Sequence, residues 1–253
     1  MSDKQTFEKA RNETISYHKL YYSRHQLFEK DSWLAKPDSG LIQLLEKSLI
    51  ADYRRAGRND TLCLLDLGSG VGRNAVPMAM TLQKEELPAK LIAVDVLAES
   101  IDILTKNCTK YDVAEIIEPV VADNDEFIIE AASYDLIAAI SVVEHCAGKV
   151  KVLKLLKAIA KGLKPGGFAR IEMTTDRNVI DLKTKQAVPT YVETPLSESQ
   201  VREMFTEAFA ECQTISLEVF PYKEVLDKDD RKILWQSKQV SFSVRAKEKE
   251  STK

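Results

Sequence analysis

A chain of 253 residues with 44% hydrophobic and 30% charged residues is within reach of a single hydrophobic core and falls outside the disordered and membrane classes. Its net charge of −3, from 36 basic and 39 acidic residues, gives no general pull toward nucleic acid, so no DNA partner is expected. No apolar run approaches the roughly 18–20 residues of a bilayer-spanning helix, and the opening MSDKQTFEKARNE is too polar for a secretory signal. Cys63, Cys108, Cys146 and Cys212 are far apart, and His18, His25 and His145 are scattered. That arrangement suits a reducing cytoplasm and predicts no metal site.

The first 40 residues mix charges with aromatics, among them Tyr21, Tyr22 and Trp33, and read as a helical arm. LIQLLEKSLIADYRR then has apolar residues at helical spacing and is broken by Gly57-Arg58-Asn59-Asp60. Strands and helices alternate from there. Strands are predicted over Thr61–Leu67, Lys90–Val96, Ile116–Ala122, Tyr134–Ile140 and Phe168–Thr174, the last entered through Lys164-Pro165-Gly166-Gly167. Helices are predicted over Asn74–Gln83, Ala98–Tyr111 and Val150–Leu163, with a short one near Asp125–Ile129. This alternation implies a parallel sheet covered on both faces, with right-handed crossovers. Pro189–Pro195 reads as irregular, and Ser197 with Gln200 forms a capping box for a helix through Phe209. Gln213–Phe220 and Gln239–Ala246 read as two closing strands joined by a charged segment, Lys223–Lys232, and pairing as an antiparallel hairpin. One domain is expected: a helical lid or arm (1–40), a ligand-binding core (41–180), a substrate-side insertion with closing strands (181–246) and a solvated tail (247–253).

The chemistry is concentrated in LLDLGSGVGRNA. An apolar strand ends at Asp66, and Gly68, Gly70 and Gly72 follow at alternate positions before a helix. Such a turn lets a ligand touch bare backbone at a helix N-terminus. The spacing differs from the G-x-G-x-x-G that seats a dinucleotide pyrophosphate, which disfavours a nicotinamide-dependent oxidoreductase. The next strand ends in Asp95, beside the glycine loop, where a carboxylate accepts from both hydroxyls of a ribose. The alternative for Asp95 alone is a helix N-cap; together with the glycine loop, ribose binding is favoured.

Together these features resemble class I S-adenosylmethionine (SAM)-dependent methyltransferases. Leu64–Asn74 resembles that family's first motif, and Asp95 falls at its ribose-binding acid. VVADNDEF puts Asp123 where the family binds the adenine amine, with Asn124 beside it. YDLIAAISVVEH resembles the fourth-strand motif and implies that Ser141 and Val142 lie near the methionine part of SAM. LKPGG resembles the opening of the fifth strand. The resemblance covers Leu64 to about Thr175 and implies a Rossmann-like, seven-stranded, mostly parallel sheet with an antiparallel closing strand, in a three-layer sandwich. It implies a cofactor site of Asp66, Gly68, Ser69, Gly70, Gly72, Arg73, Asp95, Val96, Asp123, Asn124, Ser141 and Val142, with S-adenosylhomocysteine (SAH) as product. Arg73-Asn74-Ala75 and the WLAKP segment are closest to the small-molecule branch that includes tellurite-resistance-type methyltransferases. ISVVEH stands where enzymes of nucleic-acid bases carry an N/D-P-P-Y segment, which disfavours amino methylation of adenine or cytosine.

Methyl transfer from a sulfonium mainly requires alignment and exclusion of water, so a base is optional. His145, just past the fourth strand, is the candidate base or substrate contact; its alternative is a helix-start residue that packs or caps. Tyr21, Tyr22 and Trp33 are substrate-side candidates for an aromatic lid over a cation, or simply a helix packed on the sheet edge. The function expected is methyl transfer to a small molecule. Methylation of protein or RNA, and a non-catalytic SAM-binding sensor or scaffold, stand as alternatives.

Overall fold

A computed structural model describes residues 3–188, 192–228 and 231–248. Helix α1 (Asp3–Arg24) leads into α2 (Ser39–Leu44), a π-helical turn (Leu45–Leu49) and α3 (Ile50–Arg55). Then follow β1 (Leu62–Leu67), α4 (Ala75–Lys84), β2 (Ala89–Asp95), α5 (Ala98–Lys110), β3 (Ile117–Val121), β4 (Tyr134–Ile140), α6 (Lys149–Gly162) and β5 (Leu163–Asp181). Helix α7 (Glu198–Ala208) and the strands β6 (Cys212–Lys228) and β7 (Arg231–Ala246) close the chain.

The seven strands form one sheet in the order β3-β2-β1-β4-β5-β7-β6. The first five are parallel, while β7 pairs antiparallel with both β5 and β6. Side-chain alternation divides the core in two. Leu62, Leu64, Leu136 and Ala138 pack with Leu41, Leu45, Met78 and Leu104 on one face. Leu65, Leu67, Ile137 and Ala139 pack with Val152, Leu156, Phe205 and Phe242 on the other. Every residue of β4 is buried, as a central parallel strand covered on both sides requires. Phe205 of α7 stacks on Phe242 of β7 with centroids 4.4 Å apart, fixing the closing helix to the hairpin. Ser197 and Gln200 form the expected capping box.

Three elements differ from the sequence expectation. No helix forms near Asp125–Ile129: Asp123 caps a single turn through the Asp125, Glu126 and Phe127 amides, and the exposed Ile128 leaves no apolar face to extend it. Strand β5 runs to Asp181, well past Thr174, because β7 supplies partners from Asn178 to Asp181 after a register shift. The charged segment expected to join the closing strands is, over its described residues, itself strand, with pairs such as Val225↔Leu234, and its Lys223, Glu224, Arg231 and Lys232 are exposed. Residues 189–191, 229–230 and 249–253, which include parts of the expected irregular segment, hairpin connection and tail, lie outside the described residues.

Candidate active site

In this strand order the chain reverses direction across the sheet between β1 and β4, and ligands of open α/β sheets bind at the carboxyl ends of the strands at that switch. The loop after β1 crosses there. Gly68 has φ +69° and a Cβ on it would lie 2.4 Å from Val142 Cγ2; Gly70 has φ +53° and would meet the Tyr22 hydroxyl at 2.6 Å. Ser69 N–H donates to Val94 O at 2.9 Å, which ties the loop to β2.

Asp95 ends β2, and its two carboxylate oxygens accept from Gly70 N–H and Leu97 N–H, each at 2.9 Å. Each oxygen keeps lone pairs for a ligand. Burial raises its pKa, opposed by those two amides. Asp66, at the end of β1, is pushed up to about 7 by burial, against the pull of Arg73, and its Oδ2 has no hydrogen-bond partner. Asp123 follows β3 and forms an ion pair with Arg11 of α1. Ser141, after β4, has φ +54°, unusual for a residue with a side chain, while its N–H donates to Glu172 O at 2.8 Å. His145 sits on the three-ten turn Val143–His145 that follows. Glu144 beside it is turned inward, accepting from Thr174 N–H at 2.9 Å, and so braces β5.

One cavity of about 100 Å³ joins these groups. Of the residues expected from sequence, Gly68, Asp95, Val96, Asp123, Asn124, Ser141, Val142, His145 and Tyr22 line it. Asp66, Ser69, Gly70, Gly72, Arg73, Tyr21 and Trp33 do not. Gly70 lies just behind Tyr22, and Tyr21 stacks on Trp33 at 5.0 Å, with Arg73 over the Trp33 ring at 5.7 Å. The aromatic cluster therefore backs the site, with Tyr22 alone reaching it.

Sequence reasoning missed Arg11, Thr14, Ile15, His18, Leu97, Cys146 and Glu193 on the same wall. Four of them come from α1, which lies across the strand ends like a cover. Glu193 comes from the connector before α7, and its carboxylate is 1% exposed. Burial would raise Glu193, but His145 and the Thr14 hydroxyl outweigh it and hold its pKa at about 2. His18 goes the other way: burial, aided by the nearby His145, lowers it to about 4.

His18 makes α1 docking sensitive to acid. The unfolded chain takes up this proton near 6.5 and the folded one only near 4, so between those values the unfolded state binds more protons. The contribution is complete above 6.5 and is lost as pH falls toward 4, reaching at most about 3 kcal/mol for a gap of this size. Thermal melts at pH 7.5 and 4.5 are expected to differ more for the wild type than for His18→Phe, which keeps an aromatic ring against Tyr17, Tyr22 and Trp33. Equal pH sensitivity in both would contradict a docked, neutral His18.

Residues 64–167 match a family model described as a methyltransferase domain. No curated protein matches the sequence. Among solved structures, a SAM-dependent methyltransferase from Methanosarcina mazei superposes with TM-score 0.52 at 12% identity, over 79% of this chain and 98% of that one. TehB from Haemophilus influenzae gives 0.52 at 16% identity, over 79% of this chain and 61% of that one. The cyclase SpnF gives 0.53 at 12% identity, over 79% and 80%. At these identities the structures establish the fold alone, and within that fold residues 64–167 carry a methyltransferase domain, the domain of an enzyme.

Proposed function

We propose that this protein transfers the methyl group of SAM to a small-molecule acceptor and releases SAH. The observation that carries the reading is the convergence of Gly68 of the glycine loop, Asp95, Asp123 and His145 on one cavity at the sheet's switch point. The donor set suits the cofactor. Asp95 has lone pairs free for ribose hydroxyls, and the Asn124 Oδ1, buried without a partner, stands with Asp123 where an adenine amine would donate. Gly68, Ser69, Gly70, Gly72 and Val96 would present backbone, Ser141 and Val142 would flank the methionine part, and Arg73, which tempers Asp66, would meet its carboxylate. Bound SAM supplies a methyl group already activated by a sulfonium. The protein's part is to align the acceptor and exclude water.

The enclosed volume, about 100 Å³, is below the roughly 300 Å³ at which ligand pockets begin. Arg11 also occupies Asp123. Helix α1 must therefore shift to admit the cofactor and would then cover it. A cover of this kind favours a small acceptor over a protein or RNA, and the net charge of −3 points the same way. Four free cysteines suit a cytoplasmic setting. Incubation with methyl-labelled SAM and a panel of small alcohols, phenols, amines and thiols, beside total RNA and protein, tests the reading. Label is expected in the small-molecule fraction. Label confined to RNA or protein would contradict the proposed acceptor class, and no label despite SAM binding would contradict transfer.

A further inference from the structure

Three ionisable side chains from unconnected segments meet in the cavity: His18 of α1, His145 after β4, and Glu193 of the connector before α7. His145 Nδ1 lies 3.1 Å from Glu193 Oε1. The contact is close without being aligned as a full hydrogen bond, since both Nδ1 and Glu193 Oε2 are buried and lack one. A buried carboxylate with an unsatisfied oxygen is costly unless a cation or a ligand compensates it. The backbone of His145 is tied at both ends: its N–H donates to Val142 O at 3.1 Å, and its carbonyl accepts from Arg11 Nη1 at 3.3 Å. No hydrogen bond among the described residues is spent on His145 Nε2. Glu193 lies outside the 64–167 segment that matches the methyltransferase domain.

We propose that Glu193 is a positioning residue that holds the His145 proton on Nδ1 and so leaves the Nε2 lone pair to serve as general base. The acceptor is then a protic nucleophile, an O–H or N–H group, rather than one that arrives as an anion. This rests on the methyltransferase reading above. As the acceptor's heteroatom forms its bond to the methyl carbon, the carbon–sulfur bond breaks and its electron pair stays on sulfur, leaving the neutral thioether of SAH. The acceptor proton passes to His145 Nε2, and the resulting imidazolium faces the Glu193 carboxylate. His18, kept neutral, adds no competing cation. The other charges around the ring are those of Arg11, Asp95 and Asp123, on α1 and at the ends of β2 and β3.

The chain has three histidines, so a ¹⁵N-histidine spectrum holds three rings, and His145→Gln identifies one of them. At pH 8 the wild-type His145 ring is expected in the Nδ1–H form, and Glu193→Gln is expected to move it toward Nε2–H. With an acceptor found in the panel above, Glu193→Gln is expected to lower kcat at least tenfold with the KM for SAM unchanged. A wild-type ring in the Nε2–H form would overturn the proposal without recourse to any variant, and so would a tautomer that is the same in both proteins. SAH calorimetry on the same samples separates the two failures. SAH binding with the wrong tautomer defeats the positioning role alone, whereas absent SAH binding defeats the methyltransferase reading beneath it.

Discussion

Gly68→Val is expected to abolish SAH binding and to destabilise the fold. Gly68 has φ +69°, a conformation that a β-branched residue adopts only under strain of about 1–3 kcal/mol. Its first side-chain carbon would also stand 2.4 Å from Val142 Cγ2, and Val142 is fixed behind β4 in the second core cluster. Relief requires the glycine loop or the Ser141–Val142 turn to move, at a further cost of about 1–3 kcal/mol. Either movement breaks the alignment of loop and Asp95, whose carboxylate is tied to the loop by Gly70 N–H. We expect about 2–6 kcal/mol lost in urea unfolding, from these two contributions, and at least about 100-fold weaker SAH binding, or about 3 kcal/mol. Wild-type affinity in a folded Gly68→Val protein would show that the ligand does not approach this loop.

Asp135→Ala should do the reverse, weakening the fold while sparing the site. Asp135 is at the start of β4 and Ser141 just beyond its end, six residues and about 20 Å away along the strand. The Asp135 side chain is 2% exposed and takes an ion pair from Lys164 at 2.7 Å and another from Arg58 at 2.9 Å. It also accepts from Cys63 N–H at 2.8 Å. Removing it leaves one strand amide and two cations without their shared partner. Both cations keep some contact with water, so the loss falls near the low end of the buried-pair range, about 3 kcal/mol. Chemical denaturation should report that loss with SAH affinity unchanged within about twofold, since sites this far apart contribute independently. A matching loss of affinity would mean that the two ends of β4 are coupled.

The core was readable in sequence because its signals are local. LLDLGSG couples a buried strand to a turn that needs left-handed backbone, and AVDV ends the neighbouring strand in an acid. Parallel alternation then brings Asp66 and Asp95 to one edge without any knowledge of long-range contacts. The β6–β7 hairpin was half visible. The apolar alternation of Gln239–Ala246 marks strand, but the charges of Lys223–Lys232 read as a loop. Residues 223–228 and 231–232 are nevertheless paired β structure, and Lys223, Glu224, Arg231 and Lys232 are exposed there. The N-terminal segment was readable as a lid or arm, but the residues by which it covers the site were not. Nothing in the periodicity of α1 says that Arg11 reaches Asp123 or that His18 is buried against the site. Glu193 sits in a connector that carries no pattern at all, and only the folded chain brings it to His145.

The central claim is that the edge formed by the glycine loop and Asp95 holds SAM. Calorimetric titration of the wild type and Asp95→Ala with SAH tests it most directly. Wild-type binding near micromolar, weakened at least about 100-fold in a folded Asp95→Ala protein, is the predicted result. A folded wild type that binds neither SAH nor SAM, or a variant that binds as the wild type does, would contradict it.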